Sequence, residues 1–197
     1  SSNEETLKRY PFEFDFFLIY TITDNGLEIK YEVLNKTKGD MYFSLGAHPA
    51  FALELNKDIK LEDYYLEFEK DETAQIYQLR SDALILEEKK DYLKNEKIIK
   101  LSGTIFDNDA IIFENLNSAK VTLKCSKSTR ELSMDYSKFP FVAFWSKSKA
   151  PFVCIEPWFG ISDFANCTGK LEEKKGIMEL KENDIFTAKI GKCVIDI

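Results

Sequence analysis

The chain is 197 residues long, enough for one ordinary domain or most of one large β-sandwich, and its 44% hydrophobic content excludes a disordered polypeptide. Sixteen Phe and nine Tyr favour sheet, because aromatic side chains suit a half-buried pleated surface. A net charge of −7 with no basic stripe argues against nucleic acid, and a polar start at Ser1–Tyr10 with no apolar run of membrane-spanning length reads as a soluble, cytoplasmic chain.

In chain order, Phe14, Phe16, Leu18, Tyr20 and Ile22 fall at every second position. Asp24-Asn25-Gly26 then interrupts before Leu27, Ile29, Tyr31 and Val33 resume the period, which predicts a β-hairpin whose turn uses the left-handed tolerance of Asn-Gly. Met41-Tyr42-Phe43 is strand-like. The charged stretch Leu86–Lys100 predicts a solvated surface element, a short helix or an excursion loop, on its Glu and Lys content. Alternation returns in Val121, Leu123 and Cys125, in Leu132, Met134 and Tyr136, and in Phe141, Ala143 and Trp145. Breaks fall at Lys38–Asp40, Asn115–Ser118, Ser126–Ser128 and Ser146–Lys149. Frequent turns without a helical-period stretch predict an all-β fold, antiparallel sheets packed face to face in a large β-sandwich. With no internal repeat and no Pro, Gly or Ser linker, residues 1–197 read as a single domain.

His48, the one histidine, lies in Ser44-Leu45-Gly46-Ala47-His48-Pro49-Ala50-Phe51. Pro49 biases it towards an extended backbone, so the ring position is restricted and the imidazole could act as a proton donor. The plainer alternative is a ring that satisfies a loop carbonyl. Glu156 ends the apolar run Phe152-Val153-Cys154-Ile155; on a strand, Phe152, Cys154 and Glu156 share one face. Burial there would raise its pKa towards that of a usable base, unless the side chain turns out to solvent before Pro157. Trp145 and Trp158 flank this strand and could stack on a sugar or donate to a hydroxyl, or simply pack in a core. Asp109 is expected to begin a strand and to bind ligand hydroxyls, with a turn or cap as the alternative. The four cysteines, Cys125, Cys154, Cys167 and Cys193, lack C-x-x-C spacing and are expected to be reduced and mostly buried; a zinc site would need a mixed set of distant ligands, so no metal is expected.

Together these segments resemble the aldose 1-epimerase (galactose mutarotase) family, in its LacX-like branch. The resemblance rests on Tyr10-Pro11-Phe12-Glu13-Phe14, the Asp24-Asn25-Gly26 hairpin, Gly46-Ala47-His48-Pro49-Ala50-Phe51, Asn108-Asp109-Ala110-Ile111-Ile112-Phe113 and Cys154-Ile155-Glu156-Pro157-Trp158. It implies a galactose mutarotase-like supersandwich, with His48 as the general acid at the ring oxygen, Glu156 as the general base at the anomeric hydroxyl, and Asp109 as a substrate-binding residue beside the sugar-stacking candidates Trp145 and Trp158. The implied activity interconverts the anomers of a free aldose such as galactose or glucose, without a cofactor. Epimerisation of a hexose 6-phosphate and a non-catalytic carbohydrate-binding module are the alternatives. The family also carries upstream strands with an arginine and a first histidine that this sequence does not match. The expectation is therefore a fold incomplete at its N-terminus, weak or absent turnover by the chain alone, and self-association through unpaired strand edges.

Overall fold

The computed structural model describes residues 1–24 and 26–196, the last five of these by their backbone alone. A single helical turn, α1 (Glu4–Leu7), precedes strands β1 (Phe14–Thr23), β2 (Gly26–Asn35), β3 (Met41–Phe43) and β4 (Ala50–Ala52). There follow β5 (Tyr64–Leu79), β6 (Ile85–Lys100), β7 (Ile111–Glu114), β8 (Lys120–Cys125) and β9 (Ser128–Asp135). The chain ends with β10 (Phe141–Trp145), β11 (Phe152–Trp158), β12 (Met178–Leu180) and β13 (Ile185–Asp196). The hydrogen-bonded order is β1-β2-β13-β9-β8-β5-β7-β10-β11-β4, with β6 on β5; β12 and β3 form a separate pair. Every strand pairing is antiparallel.

The sheet becomes a sandwich because β5 serves both layers. Its first half, Tyr64 to Phe68, pairs with β8, and its second half pairs with β7 through Ile76 and Tyr77. Phe68 of the first half packs edge-on against Phe113 of β7 and Phe144 of β10. Around these rings one core takes Leu66, Val121, Leu123, Met134 and Ile190 from one layer and Phe113, Val142, Phe144, Val153 and Ile155 from the other. β10 is buried over its first four residues, which fits a central strand covered on both faces.

One expectation changes, and two others take a definite form. Residues 86–100 belong to a sixteen-residue strand, β6, not a helix or loop. Glu and Lys dominate its exposed positions, while Ile85, Leu93 and Ile99 are buried; among the described residues, apart from an isolated bridge between Ile85 and Phe164, it pairs with β5 alone. Charge on such an edge discourages further pairing, so the composition that imitated a solvated helix serves a strand margin. Secondly, β1 pairs with β2 in the expected register, yet Phe16, Phe17, Leu18, Ile19, Tyr20 and Ile22 are all exposed. The period reports the strand, but no described element covers either face. The Asn25 half of the expected turn lies outside the described residues. Thirdly, as expected, Cys125 and Cys154 are buried and free, with the free Cys167 exposed; the side chain of Cys193 lies outside the described residues.

Candidate active site

Strand alternation divides the side chains of β11 between two tasks. Val153 and Ile155 enter the main core, while Cys154 and Glu156 project from the opposite face. Cross-strand partners share a face, so Trp145 stands beside Cys154 and Ala143 beside Glu156. On the other side of β11, Ala50 of β4 pairs with Cys154.

The His48 segment runs along β11 as a backbone rail. Phe159 N–H donates to the Leu45 carbonyl at 2.9 Å, Ala47 N–H to the Pro157 carbonyl at 3.0 Å, and Ile155 N–H to the Pro49 carbonyl at 3.3 Å. Trp158 Nε1–H also donates to the Ala47 carbonyl at 3.1 Å. A Cβ on Gly46 would lie 2.4 Å from Trp158 Cδ1, so glycine is what lets the rail approach the indole. Both neighbours of His48 are thereby tied to β11. Its ring faces Trp145 edge-on, with centroids 6.0 Å apart and planes at 89°.

The result is a close acid–base contact between unlike environments. His48 Nδ1 lies 3.4 Å from Glu156 Oε1; the histidine side chain is 62% exposed and the glutamate 3%. At that separation the pair is an ion pair when the ring is protonated, with a longer reach than an ordinary hydrogen bond. Burial, reinforced by the negative charge of Asp109, pushes the Glu156 carboxyl up to about 7. Burial and the neighbouring Glu156 push the Cys154 thiol up to about 11.

Asp109 departs from its expected place at the start of a strand. It occupies a left-handed turn residue (φ 74°) before β7, and its Oδ1 accepts from the Ala110 N–H at 2.7 Å. Trp158 is half-buried among Phe141, Ala143 and Ile161, and its indole N–H is committed to the Ala47 carbonyl. Trp145 is also half-buried and lies against Phe152. Sequence reasoning singled out five of the residues described here and put Cys154 on the face of Glu156, but missed Gly46 as the spacer.

Further across the same face lies a network that the sequence did not signal. Cross-strand pairing runs from Glu156 through Ala143 and Ile112 to Tyr77. Tyr77 Oη donates to Glu114 at 2.6 Å, and Lys89 and Lys175 each reach that carboxylate at 2.7 Å. Burial raises Glu114, but these three donors outweigh it and hold the carboxyl at about 2. A separate cavity of about 580 Å³ is lined by Glu87, Asp163, Phe164 and Lys174 among others, and includes neither His48 nor Glu156. The donor atoms of His48, Cys154 and Glu156 all lie within 4.8 Å of one another, a set of types able to hold a metal ion.

Comparison with known proteins gives a consistent result. The profile of the aldose 1-epimerase family matches residues 1–178. The chromosomal LacX protein of Lactococcus lactis subsp. lactis is 34% identical over 182 residues, covering 90% of this chain and 61% of that protein. A galactose mutarotase related enzyme from Lactobacillus acidophilus superposes with a TM-score of 0.91 at 33% identity, over 99% of this chain and 65% of that one. A galactose mutarotase-like protein from Lactobacillus casei gives 0.90 at 30% identity, over 99% and 67%. The chain thus spans about six-tenths of the length of its curated relative.

The buried carboxylate makes a stability prediction. Glu156 has a folded pKa above its ordinary 4.5, so its ionisation opposes folding: that cost is absent below about pH 4.5 and complete once the pH has risen through about 7. The full shift corresponds to about 3 kcal/mol. Glu156→Gln is therefore expected to stabilise the protein by about 1–3 kcal/mol at pH 8 and by much less near pH 4.5, measured by urea unfolding. Equal effects at both pH values would contradict the assignment.

Proposed function

The chain belongs to the aldose 1-epimerase family, and from that premise we propose that its natural gene product interconverts the α and β anomers of a free hexose such as galactose or glucose. The single observation carrying this reading is the 3.4 Å approach of His48 to Glu156. In a pyranose, O1 and O5 are both bonded to the anomeric carbon. A base for one and an acid for the other have to converge on that carbon, and an imidazole carried on a held backbone beside a desolvated carboxylate supplies the pair.

Glu156, as carboxylate, takes the proton of the O1 hydroxyl while the protonated His48 gives one to O5. The C1–O5 bond breaks and the open-chain aldehyde forms. Rotation about C1–C2 presents the other carbonyl face, and the transfers run in reverse: O5 attacks C1, His48 recovers its proton, and Glu156 returns one to O1. Burial makes Glu156 a stronger base than a solvated carboxylate, and exposure lets His48 meet the sugar. Trp145, edge-on to His48, offers an aromatic surface for the sugar, and the exposed Asp109 an acceptor for hydroxyls. Trp158 acts through its ring face and through the rail that it steadies. A free sugar fits better than a 6-phosphate: Asp109 adds negative charge beside Glu156, and Arg80 and Arg130 are engaged with Asp82 and Glu54.

We propose further that copies of the chain self-associate through β1, whose outer edge beyond the Ser2–Phe14 contact has no strand partner among the described residues and whose apolar residues are exposed. Sedimentation velocity should find dimers or larger species that a Phe17→Lys, Ile19→Lys variant shifts to monomer; a monomeric parent chain would overturn this.

Polarimetry on the natural gene product tests the catalytic reading. His48→Asn and Glu156→Gln are each expected to lower kcat/KM by ~10²–10⁴-fold. In the parent protein kcat/KM should fall about tenfold per pH unit below the Glu156 pKa of about 7, because the base is lost on protonation. Unchanged rates in both variants, or a flat profile between about pH 5.5 and 8, would overturn it.

A further inference from the structure

We propose that His48, Cys154 and Glu156 also form a binding site for one thiophilic divalent cation of the Zn²⁺ class, and that its occupancy shuts the acid–base centre. Binding itself follows from the cluster's geometry. The consequence for turnover rests on the catalytic reading above.

The donor set is the one such an ion selects: an imidazole nitrogen, a thiolate sulfur and a carboxylate oxygen. Cys154 and Glu156 are two residues apart on β11, so both point from the same face, and that strand is paired with β10 on one side and with β4 and the His48 rail on the other. The third donor faces them from the rail, with His48 Nδ1 3.4 Å from Glu156 Oε1. All three donor atoms fall within 4.8 Å of one another. Bonds of about 2.0–2.3 Å in a tetrahedron put neighbouring donors roughly 3.3–3.8 Å apart, so closure needs a contraction of up to about 1.5 Å. His48 is the mobile member, since its side chain is 62% exposed while Glu156 is 3% exposed and Cys154 is buried.

The surroundings favour a cation. Among the described residues, His48 is the only ion-pair partner of Glu156, and Asp109 adds a second negative charge nearby. The exposed side of His48 leaves a fourth position for water or a sugar oxygen. Cys154 has no part in the proton transfers, and its thiol would pack beside Trp145 and Ala50 no better than a small apolar side chain. A ligand role accounts for sulfur at that position.

On binding, the thiol proton leaves to solvent and a metal–sulfur bond forms; the histidine binds as the neutral ring and the glutamate as carboxylate, with no change of oxidation state. The Nδ1 lone pair and the carboxylate are then unavailable to O5 and O1. Hard cations such as Mg²⁺ prefer six oxygen ligands and should not compete.

Cobalt(II) titration tests this on protein carrying Cys167→Ser and Cys193→Ser, which leaves Cys125 and Cys154 as the remaining thiols. Expected is one equivalent bound, with four-coordinate visible bands and a near-ultraviolet thiolate-to-cobalt band that excess Mg²⁺ leaves intact. Cys154→Ala should abolish the thiolate band, and His48→Asn, at an exposed position, should weaken binding at least ~10-fold. Absence of the band, or its persistence in Cys154→Ala, overturns the site. Saturating Zn²⁺ should suppress mutarotation and a chelator restore it; undiminished turnover with metal bound would overturn the regulatory claim. A band in this chain with no mutarotation by the natural gene product would lose the catalytic reading alone, and turnover by the natural gene product with no band in this chain would lose the metal site alone.

Discussion

The carboxylate of Glu156 is held almost out of water, and the local structure is arranged so that it cannot escape. Its strand is hydrogen-bonded to β10 on one side and to β4 and the His48 rail on the other, so the backbone has no freedom to turn the side chain outward. The consequence is a carboxyl whose proton affinity is raised by burial and by Asp109, facing a ring that remains open to solvent. That arrangement costs folding energy above neutral pH and makes the group chemically useful there. Stability and reactivity are set against each other at one residue.

The sandwich supplies this environment through simple alternation. Val153 and Ile155 anchor β11 in the core with Phe144 and Val142, and the same pleat sends Cys154 and Glu156 to the opposite face. A shift of one residue in the pairing of β10 with β11 would exchange those sets and leave a glutamate in the core. The rail imposes a second register: Gly46 permits close contact with Trp158, and the indole N–H and two backbone N–H groups hold the flanks of His48. An exposed side chain is thus positioned by buried neighbours, so mobility of the ring is confined to its own torsions.

Much of the fold was readable because period-two alternation is a local signal. The β1/β2 hairpin, strands β8 to β11 and the breaks between them needed no knowledge of distant partners. β6 was not readable, because its Glu and Lys residues line a free strand edge and their composition also suits a solvated helix. In β1, apolar alternation states that a strand exists, not that anything covers it. At the site, Pro49 marked His48 as a constrained position, and strand alternation put Glu156 on one face with Cys154. The 108-residue separation between them, and the arrival of Cys154 at the same point, depend on how β11 meets the rail. Asp109 falls in a turn because its left-handed backbone is accessible to an Asp, a feature that the segment carried only as an alternative.

The central claim is that His48 and Glu156 operate as one device on one carbon atom. A double-variant cycle of the anomer exchange rate, measured by saturation-transfer NMR on the natural gene product with His48→Asn, Glu156→Gln and the combination, addresses it most directly. The account predicts that the combined variant is scarcely slower than the slower single variant, because removing either partner already disables the pair. Losses that multiply would mean that the two groups act independently and would contradict it.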